Sequence, residues 1–536
     1  MTRFDNTDSS VVVVVGSGAG GGTLANELCQ AGVKVVVLEA GPHLTDPDYH
    51  NDEWPAFNQM AWTDMRTTSG SWRVAKDFPN LPAWTVKAVG GTSTHWAGAC
   101  PRFRDYEFKT KTTYGDIEGA SLLDWPMDLA DLAPYYDNAE IRMGVTHRHG
   151  RPPLPANNNY KVMANGAAKV GYKHYATGPY ATNATPFDGR PASNQDGFNF
   201  QGDKTGAKWS TLVAELPKAE KTGNLDLRPG CHVAQITHDA TGKVDGVLYF
   251  EGDVLHRQAA RVVCVAANAI ESARLLLLSS SPQFPDGLAN SSGEVGKNYM
   301  RHLTASSYAR FDQPVHMYRG ETMAGIVADE TGLDVARGFV GGYAFETLSL
   351  GPAFLAAFAD PGAWGPAFTD IMDGYENTAG LWVVGEDMPQ ATNRVTLNGD
   401  AKDQHGLPVP NVHFDDHAND VAMRAHAWQH AAELYRAVGA VGVTDTPPYP
   451  STHNLGTCRM SADPTQGVVD LFGRAHDVPN LYVSDGSVFT TGAAANPTLT
   501  IVALAVRQAE HLVGQLKAGV LSATATPHPR NAAPGC

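Results

Sequence analysis

Long apolar runs are missing from this 536-residue chain. The five valines Val11–Val15 fall far short of the ~20 apolar residues of a membrane-spanning helix, so no span is expected. The opening MTRFDNTDSS lacks the basic start and apolar stretch of a signal peptide. A cytoplasmic protein is expected on that ground, with export alongside a signal-bearing partner subunit left open. Cysteine is scarce: six residues, at 29, 100, 231, 264, 458 and 536, with no CxxC pair. That spacing offers no thiolate metal site, and a disulfide framework does not suit a chain of this size. Cys29 and Cys264 lie in apolar segments and read as small core residues. Basic charge is also short, 40 Lys and Arg against 56 Asp and Glu, for a net charge of −16. Nucleic acid and anionic membranes both require a basic face, so neither is expected as a partner. No internal repeat is found.

What is present is an ordinary globular balance, 43% apolar and 18% charged, long enough for several domains or one large composite. The valine run reads as a strand buried on both faces. Gly16-Ser17-Gly18-Ala19-Gly20-Gly21 follows and matches GxGxxG. TLANELCQAG then reads as a helix ending at Gly32, and Lys34–Leu38 as a second strand closed by Glu39, 18 residues beyond Gly21. Each part has a task. Gly16 permits the tight turn, Gly18 lets the backbone approach a pyrophosphate, and Gly21 lets helix and strand pack closely. The helix N-terminus offers free N–H groups to the phosphates, and Glu39 can accept hydrogen bonds from both ribose hydroxyls. A carboxylate there repels a 2′-phosphate, which disfavours NADP; FAD and NAD both remain open on these residues.

Two further stretches carry chemistry. VGGTSTHWAGACPRF (89–103) is too broken by small residues for a good helix and too rich in glycine for an ordinary strand. Near the C-terminus, Leu481–Val483 reads as a short strand ending in Ser484-Asp485-Gly486, and Asn496-Pro497-Thr498 opens an apolar helix. Asn at the N-cap with Pro at the first helical position is a common start, so Asn496 alone reads as a cap. A helix N-terminus there would also attract a negative group. His453, in a turn rich in Gly and Thr 43 residues earlier, is a candidate base.

Seven segments in order make the chain resemble the glucose–methanol–choline (GMC) oxidoreductases: GSGAGGGTLANEL with VVVLEAG, VGGTSTHW, DWPMDLADLAPYYDNAE, VVCVAANAIESARLLLLS, GLANSSGEVGKNYMRH, HNLGTCRM, and NLYVSDGSVF with NPTLTIVALA. The resemblance runs from residue 11 to about residue 510. Within the family, GGT-x-x-HW and DWP…LAPYY are similar to two kinds of enzyme. One comprises catalytic subunits of bacterial FAD-dependent gluconate, fructose and glucose dehydrogenases; the other comprises pyranose and glycoside oxidases. The implied fold is α/β: an FAD-binding Rossmann-like domain over 10–105, 205–300 and 455–516, interleaved with an α+β substrate domain built on an antiparallel sheet over 106–204 and 301–454. A tail, 517–536, rich in Ala, Pro and Thr, is expected to be partly disordered.

The implied activity is oxidation of a sugar, glycoside or polyol alcohol by hydride transfer to flavin N5. His453 would be the base and Asn496 its partner at the substrate oxygen. Asp485 and Gly486 would lie against the ribityl and pyrophosphate, Pro497 and Thr498 near the pyrimidine ring, and Val233 against the adenine. Gly90 and Gly91 would let the loop pass close to a flat ring. Thr92, Ser93 and Thr94 would offer donors to phosphate or flavin edges, with Trp96 packing beside His95. His95 stands where fungal pyranose oxidases bond their flavin; a noncovalent FAD is expected, with a bond through His95 as the alternative.

The chain also departs from those relatives. No cysteine follows Asp188-Gly189-Arg190-Pro191, so no iron–sulfur cluster is expected. Ala97 stands where the fungal oxidases carry a threonine, which bears on oxygen use and leaves the acceptor open among oxygen, quinone and a redox partner. The glycine-studded apolar segment 318–370 reads as a substrate wall, lid or interface, or equally as plain core and loops. Its Phe, Trp and Ala residues suit a second reading, a bulky aromatic or steroid alcohol. An NAD-dependent dehydrogenase and a flavin-binding scaffold without turnover are the alternatives of other classes. The segment 417–438 reads as an amphipathic helix. His426 and His430 lie four apart on it, with no further ligand in sight, and are expected at the surface.

Overall fold

The computed structural model describes residues 2–50, 52–71, 82–197, 202–448 and 450–521. Val12–Val15 (β1) is an unbroken β-branched run because both of its faces are covered. It lies at the centre of a five-stranded parallel sheet, between Val35–Leu38 (β2) and Val262–Val265 (β4). Leu225–Arg228 (β3) and Leu481–Val483 (β5) form the edges, in the order β5-β4-β1-β2-β3. Val13 stands level with Val36 on one side and Val263 on the other. The period of two then divides the core. Val12 and Val14 pack with Leu24 and Leu28 of helix α1 (Ala19–Gln30) and with Leu512 of the C-terminal helix, whereas Val13 and Val15 join the larger core on the opposite face. The expected strand–turn–helix–strand order holds, with each strand beginning one residue later than read.

The second large sheet has six strands. In spatial order they are 442–445, 303–310, 378–385, 343–347, 326–327 and 175–176, all antiparallel. Its core is closed by the helix Ala418–Ala437 (α3), whose Ala427, Ala431, Leu434 and Tyr435 pack with Leu303, Ala305 and Val383. The helix is where the sequence places it, but the expected surface position of its histidines is corrected. His426 and His430 are half-buried because two tyrosines take their ring nitrogens: Nδ1 of His426 lies 2.8 Å from the Tyr343 hydroxyl, and Nδ1 of His430 lies 3.2 Å from that of Tyr172.

The glycine-studded segment 318–370 serves two purposes. Met323, Leu348, Leu350 and Phe358 line the cavity described below, while Trp364, 84% exposed, stands outside it between two short helices, Pro352–Ala359 and Pro366–Asp373. The C-terminal helix runs from Thr498 to Lys517; most of the expected tail, 522–536, lies outside the described residues. Among the described residues, no helix is long and apolar enough to cross a membrane. Their His/carboxylate grouping at Asp137, Glu140 and His149 is bridged by Arg102, whose guanidinium lies 2.6 and 2.5 Å from the two carboxylates and stands in the place of a cation.

Candidate active site

One cavity of about 430 Å³ gathers fourteen of the sixteen predicted site residues: Gly16, Gly18, Glu39, Gly91, Thr92, His95, Trp96, Val233, His453, Asp485, Gly486, Asn496, Pro497 and Thr498. Gly21 and Thr94 lie behind it. Gly21 has the packing task read for it, since a Cβ there would stand 2.2 Å from the Gly16 carbonyl oxygen. Gly18 is different in kind. A Cβ on it would meet only the Gly91 Cα, at 3.9 Å, so its open side faces the cavity. That space at the start of α1, with free backbone N–H groups beside it, fits a pyrophosphate. Glu39 closes the cradle. Its Oε2 accepts from the Ser17 N–H (3.0 Å) and hydroxyl (2.7 Å), and its Oε1 from the Gly41 N–H (2.9 Å). Burial pushes its carboxyl upward in pKa, opposed by these bonds and by Lys87. One acceptor site on Oε1 remains for a ribose hydroxyl.

The VGGTSTHW loop is a turn of 3₁₀ helix, Gly91–Thr94, entered through Gly90 and Gly91 at φ +91° and +52°. Its close approach is to protein: a Cβ on Gly91 would lie 2.9 Å from the Gly18 Cα. Two of its three hydroxyls are not free donors, which corrects the expectation for them. Ser93 donates to the Gly90 carbonyl (2.6 Å), because a tight turn with left-handed residues leaves carbonyls to satisfy, and Thr94 spends its one proton between the Gly91 carbonyl (2.9 Å) and Nδ1 of His95 (2.8 Å). Thr92 accepts from the Val86 N–H (3.1 Å) and keeps its own proton. Trp96 packs as expected, its indole N–H on the Trp209 carbonyl (2.8 Å). Both nitrogens of His95 are engaged, Nδ1 with the Thr94 hydroxyl and Nε2 with Gln59 Oε1, each at 2.8 Å. Burial, with the Lys208 cation nearby, pulls His95 down to about 3, so its ring is neutral.

At the C-terminal side, Asp485 is saturated. Its Oδ2 accepts from the Asn268 N–H (3.0 Å) and the Ser272 hydroxyl (2.5 Å), and its Oδ1 from the N–H (2.8 Å) and hydroxyl (2.5 Å) of Ser487. It pins the helix Asn268–Leu278 (α2) to the turn after β5 and presents the Gly486 backbone to the cavity. The cap reading of Asn496 is also corrected. The helix starts one residue later, at Thr498, and Pro497 occupies the cap position. The Asn496 amide is therefore released from the backbone and donates to Glu346 Oε2 at 3.3 Å.

His453 lies 9% exposed in the same cavity. Ser451 Oγ accepts from its backbone N–H (3.0 Å), and its ring sits 5.4 Å from that of Trp382. Its Nδ1 is 2.9 Å from Nδ1 of His302, with the rings near perpendicular. Burial pulls His453 down to about 3, so the imidazole is neutral and holds a lone pair. Trp62, Trp84, Met323, Leu348, Leu350, Phe358 and Trp382 form the wall around this end. Met323, Leu348, Leu350 and Phe358, with Glu346 behind Asn496, belong to the segment 318–370 offered as a wall, whereas Trp62, Trp84 and Trp382 escaped the sequence reading. They come from strands and loops whose local pattern signals only core. His302 carried a signal, as the last residue of GKNYMRH.

Glu346 is fully buried, and burial raises its carboxyl to about 8. It is then protonated at neutral pH. A proton on Oε1 leaves Oε2 as the carbonyl acceptor that the Asn496 amide needs. The folded state holds this proton over roughly pH 4.5–8 and the unfolded chain does not, so Glu346 makes stability fall as pH rises through that window. Glu346→Gln keeps the acceptor and removes the titration. Its melting temperature is expected to fall less than wild type's between pH 6 and 9; an equal fall in both proteins removes Glu346 as a contributor.

With this geometry in view, comparison with known proteins is direct. A model of the GMC oxidoreductase N-terminal domain matches residues 69–304, the C-terminal one matches 389–505, and an NAD(P)-binding Rossmann-like domain matches 14–49. The chain belongs to the GMC oxidoreductases. It is 35% identical to 2-methyl-1,2-propanediol dehydrogenase of Mycolicibacterium austroafricanum, over 95% of this chain and 96% of that one. It is 31% identical to paromamine 6′-oxidase of Streptomyces fradiae (94% and 91% covered) and 28% identical to the fructose dehydrogenase large subunit of Gluconobacter japonicus (96% and 100%). Pyridoxine 4-oxidase from Mesorbium loti shares the fold, with a TM-score of 0.64 at 16% identity over 94% of this chain and 99% of that one. This GMC oxidoreductase is thus a flavoprotein of the FAD class that acts on CH–OH groups.

Proposed function

We propose that the protein oxidises an alcohol of the polyol and sugar class, with His453 as base and Asn496 as its partner at the substrate oxygen. The observation that carries this is the meeting of a neutral histidine and an uncapped asparagine in the cavity that also holds the glycine cradle. Bound FAD supplies the acceptor for the hydride that leaves the carbinol carbon. Nε2 of His453 takes the hydroxyl proton. Asn496, tethered through one N–H, keeps Oδ1 and the other N–H for the substrate oxygen. Trp62, Trp84 and Trp382 line the cavity and offer aromatic faces against which the C–H face of a polyol or sugar ring can lie. A second reading, an aromatic or other apolar alcohol, is favoured by Met323, Leu348, Leu350 and Phe358 in the same wall. Anaerobic bleaching of the bound flavin by a panel of diols, sugars, aminoglycosides and aromatic alcohols decides between them. No bleaching by any alcohol would sink the activity itself. Reoxidation of the bleached enzyme with air, quinone or a cytochrome then identifies the acceptor.

We also infer that the FAD is noncovalent. His95 Nε2 faces the carbonyl oxygen of Gln59 and so carries the ring proton, which leaves no lone pair there for a flavin bond. Acid precipitation is expected to give a yellow supernatant, and a yellow pellet would overturn the inference. No iron–sulfur centre is expected, since no cysteine follows Asp188-Gly189-Arg190-Pro191 and, among the described residues, no cysteines come together as a ligand group.

A further inference from the structure

We propose that His302 is the positioning residue of the base: its Nδ1 accepts the Nδ1–H of His453 and holds that ring in the tautomer whose Nε2 lone pair is free. This rests on the reading of His453 given above. The two Nδ1 atoms are 2.9 Å apart, so one of them carries a hydrogen and the other accepts it. If His302 donates, His453 must carry its own proton on Nε2 and has no lone pair to offer. In that arrangement, proton uptake by His453 would also set two N–H groups face to face. If His453 donates, its Nε2 is free, and the same bond persists after it becomes an imidazolium. Only the second arrangement survives turnover without reorganisation.

In that arrangement the proton of His302 resides on Nε2. That edge of the ring packs against the 492–493 turn, where a Cβ on Gly492 would lie 3.3 Å from Nε2, and Nε2 is buried without a hydrogen-bond partner among the described residues, so the bond to His453 is the one that orients the ring. Burial holds His302 well below the usual histidine range, with His453 adding to it, so His302 does not compete for the proton. The ring is fixed from behind. His302 sits at φ +61°, and the Asp387 carboxylate accepts from its backbone N–H and from that of Arg301 (2.7 Å). The charged and titratable groups around the pair are Asp387 and Arg301 at this backbone and Glu346 behind Asn496. Asp387, raised to about 6 by burial, titrates in every variant compared below, so a difference between variants excludes it.

The test compares wild type, His302→Ala, His302→Asn and His453→Ala as holoenzymes. Anaerobic flavin reduction is followed by rapid mixing from pH 9 down to about pH 2.5, with the alcohol that bleaches wild type fastest, so that the acid limb of a base with a pKa of about 3 is sampled. Asn tolerates the left-handed backbone and places an acceptor oxygen near the position of Nδ1. His302→Ala is expected to slow reduction by about 10- to 100-fold, the usual effect of losing an orienting partner. The acid limb of its pH profile moves to lower pH, because the imidazolium loses the acceptor that stabilises it. His302→Asn recovers most of the rate and the limb. A wild-type rate and profile in His302→Ala overturns the proposal. So does an Asn variant as slow as the Ala variant with an unmoved limb, which would mark mere packing. A wild-type rate in His453→Ala instead removes the base reading. Independently of turnover, ¹⁵N-histidine spectra of the oxidised enzyme, assigned against His453→Ala, should show His453 protonated on Nδ1; protonation on Nε2 overturns the proposal.

Discussion

His453→Ala is expected to keep its FAD and its fold but to reduce the flavin about 100-fold more slowly than wild type, or slower still. Retention of cofactor follows from where the side chain sits. It lines the end of the cavity walled by Trp382 and Leu350, and its one hydrogen-bond partner among the described residues is His302. The glycine cradle, Glu39 and the Asp485 staple make no bond to it. Truncation leaves a void and an unpartnered nitrogen on His302, a cost of about 1–3 kcal/mol, which a well-buried core of this size absorbs. The kinetic loss follows from the proton. An alcohol gives up its hydride readily only as its O–H bond loosens, and no other described side chain with a free basic lone pair lines that end of the cavity. The pH dependence has a definite sign. A base works unprotonated, and burial holds His453 near 3, so the deficit should be nearly constant from pH 6 to 9. Wild type should lose rate only as pH falls towards the pKa of the base. A variant that bleaches at a rate near wild type would remove His453 from the chemistry.

The legible parts of this molecule are local in sequence. Val12–Val15, the turn at Gly16–Gly21 and Glu39 lie within one strand–helix–strand unit, where composition alone reveals burial and the close approach of backbones. The resemblance to the family singled out His453 and Asn496, and the fold brings both to the same cavity. What the sequence does not disclose is what each polar group is bonded to. Asn496 has the makings of a cap, and only the start of the helix at Thr498 shows that its amide turns to Glu346 instead. Ser93 and Thr94 have the makings of ligand donors, yet the Gly90 carbonyl takes the proton of Ser93, and the Gly91 carbonyl and Nδ1 of His95 take that of Thr94. Glu346 and Trp382 sit opposite each other on adjacent strands, 150 and 114 positions from Asn496, and no local pattern links them to the site. The wall of the cavity is a tertiary product in the same sense.

Gly18→Ala and Gly20→Ala, two positions apart in one motif, should fail in opposite ways. At Gly18 an added Cβ has open space before it, meeting only the Gly91 Cα at 3.9 Å. Its φ of −64° is one that alanine adopts freely. The Gly18→Ala protein should therefore fold, purify colourless or pale, and bind added FAD weakly. The methyl group takes the place where a pyrophosphate must come closest to the backbone. At Gly20 the added Cβ would lie 1.7 Å from the Ser484 carbonyl oxygen and 3.3 Å from Ile501. Neither the backbone after β5 nor the C-terminal helix can yield that far without parting α1 from the sheet, and overpacking of even a methylene costs about 1–3 kcal/mol. Gly20→Ala should melt well below wild type or collect as insoluble protein, whether FAD is supplied or not. The measurement is a pair of thermal melts for each variant, with and without excess FAD. Added FAD should shift the Gly18 variant upward only at concentrations far above those that saturate wild type, and should leave the Gly20 variant unfolded. Equal yields, colours and melts for the two variants would show that the cavity beside Gly18 is not where the dinucleotide lies.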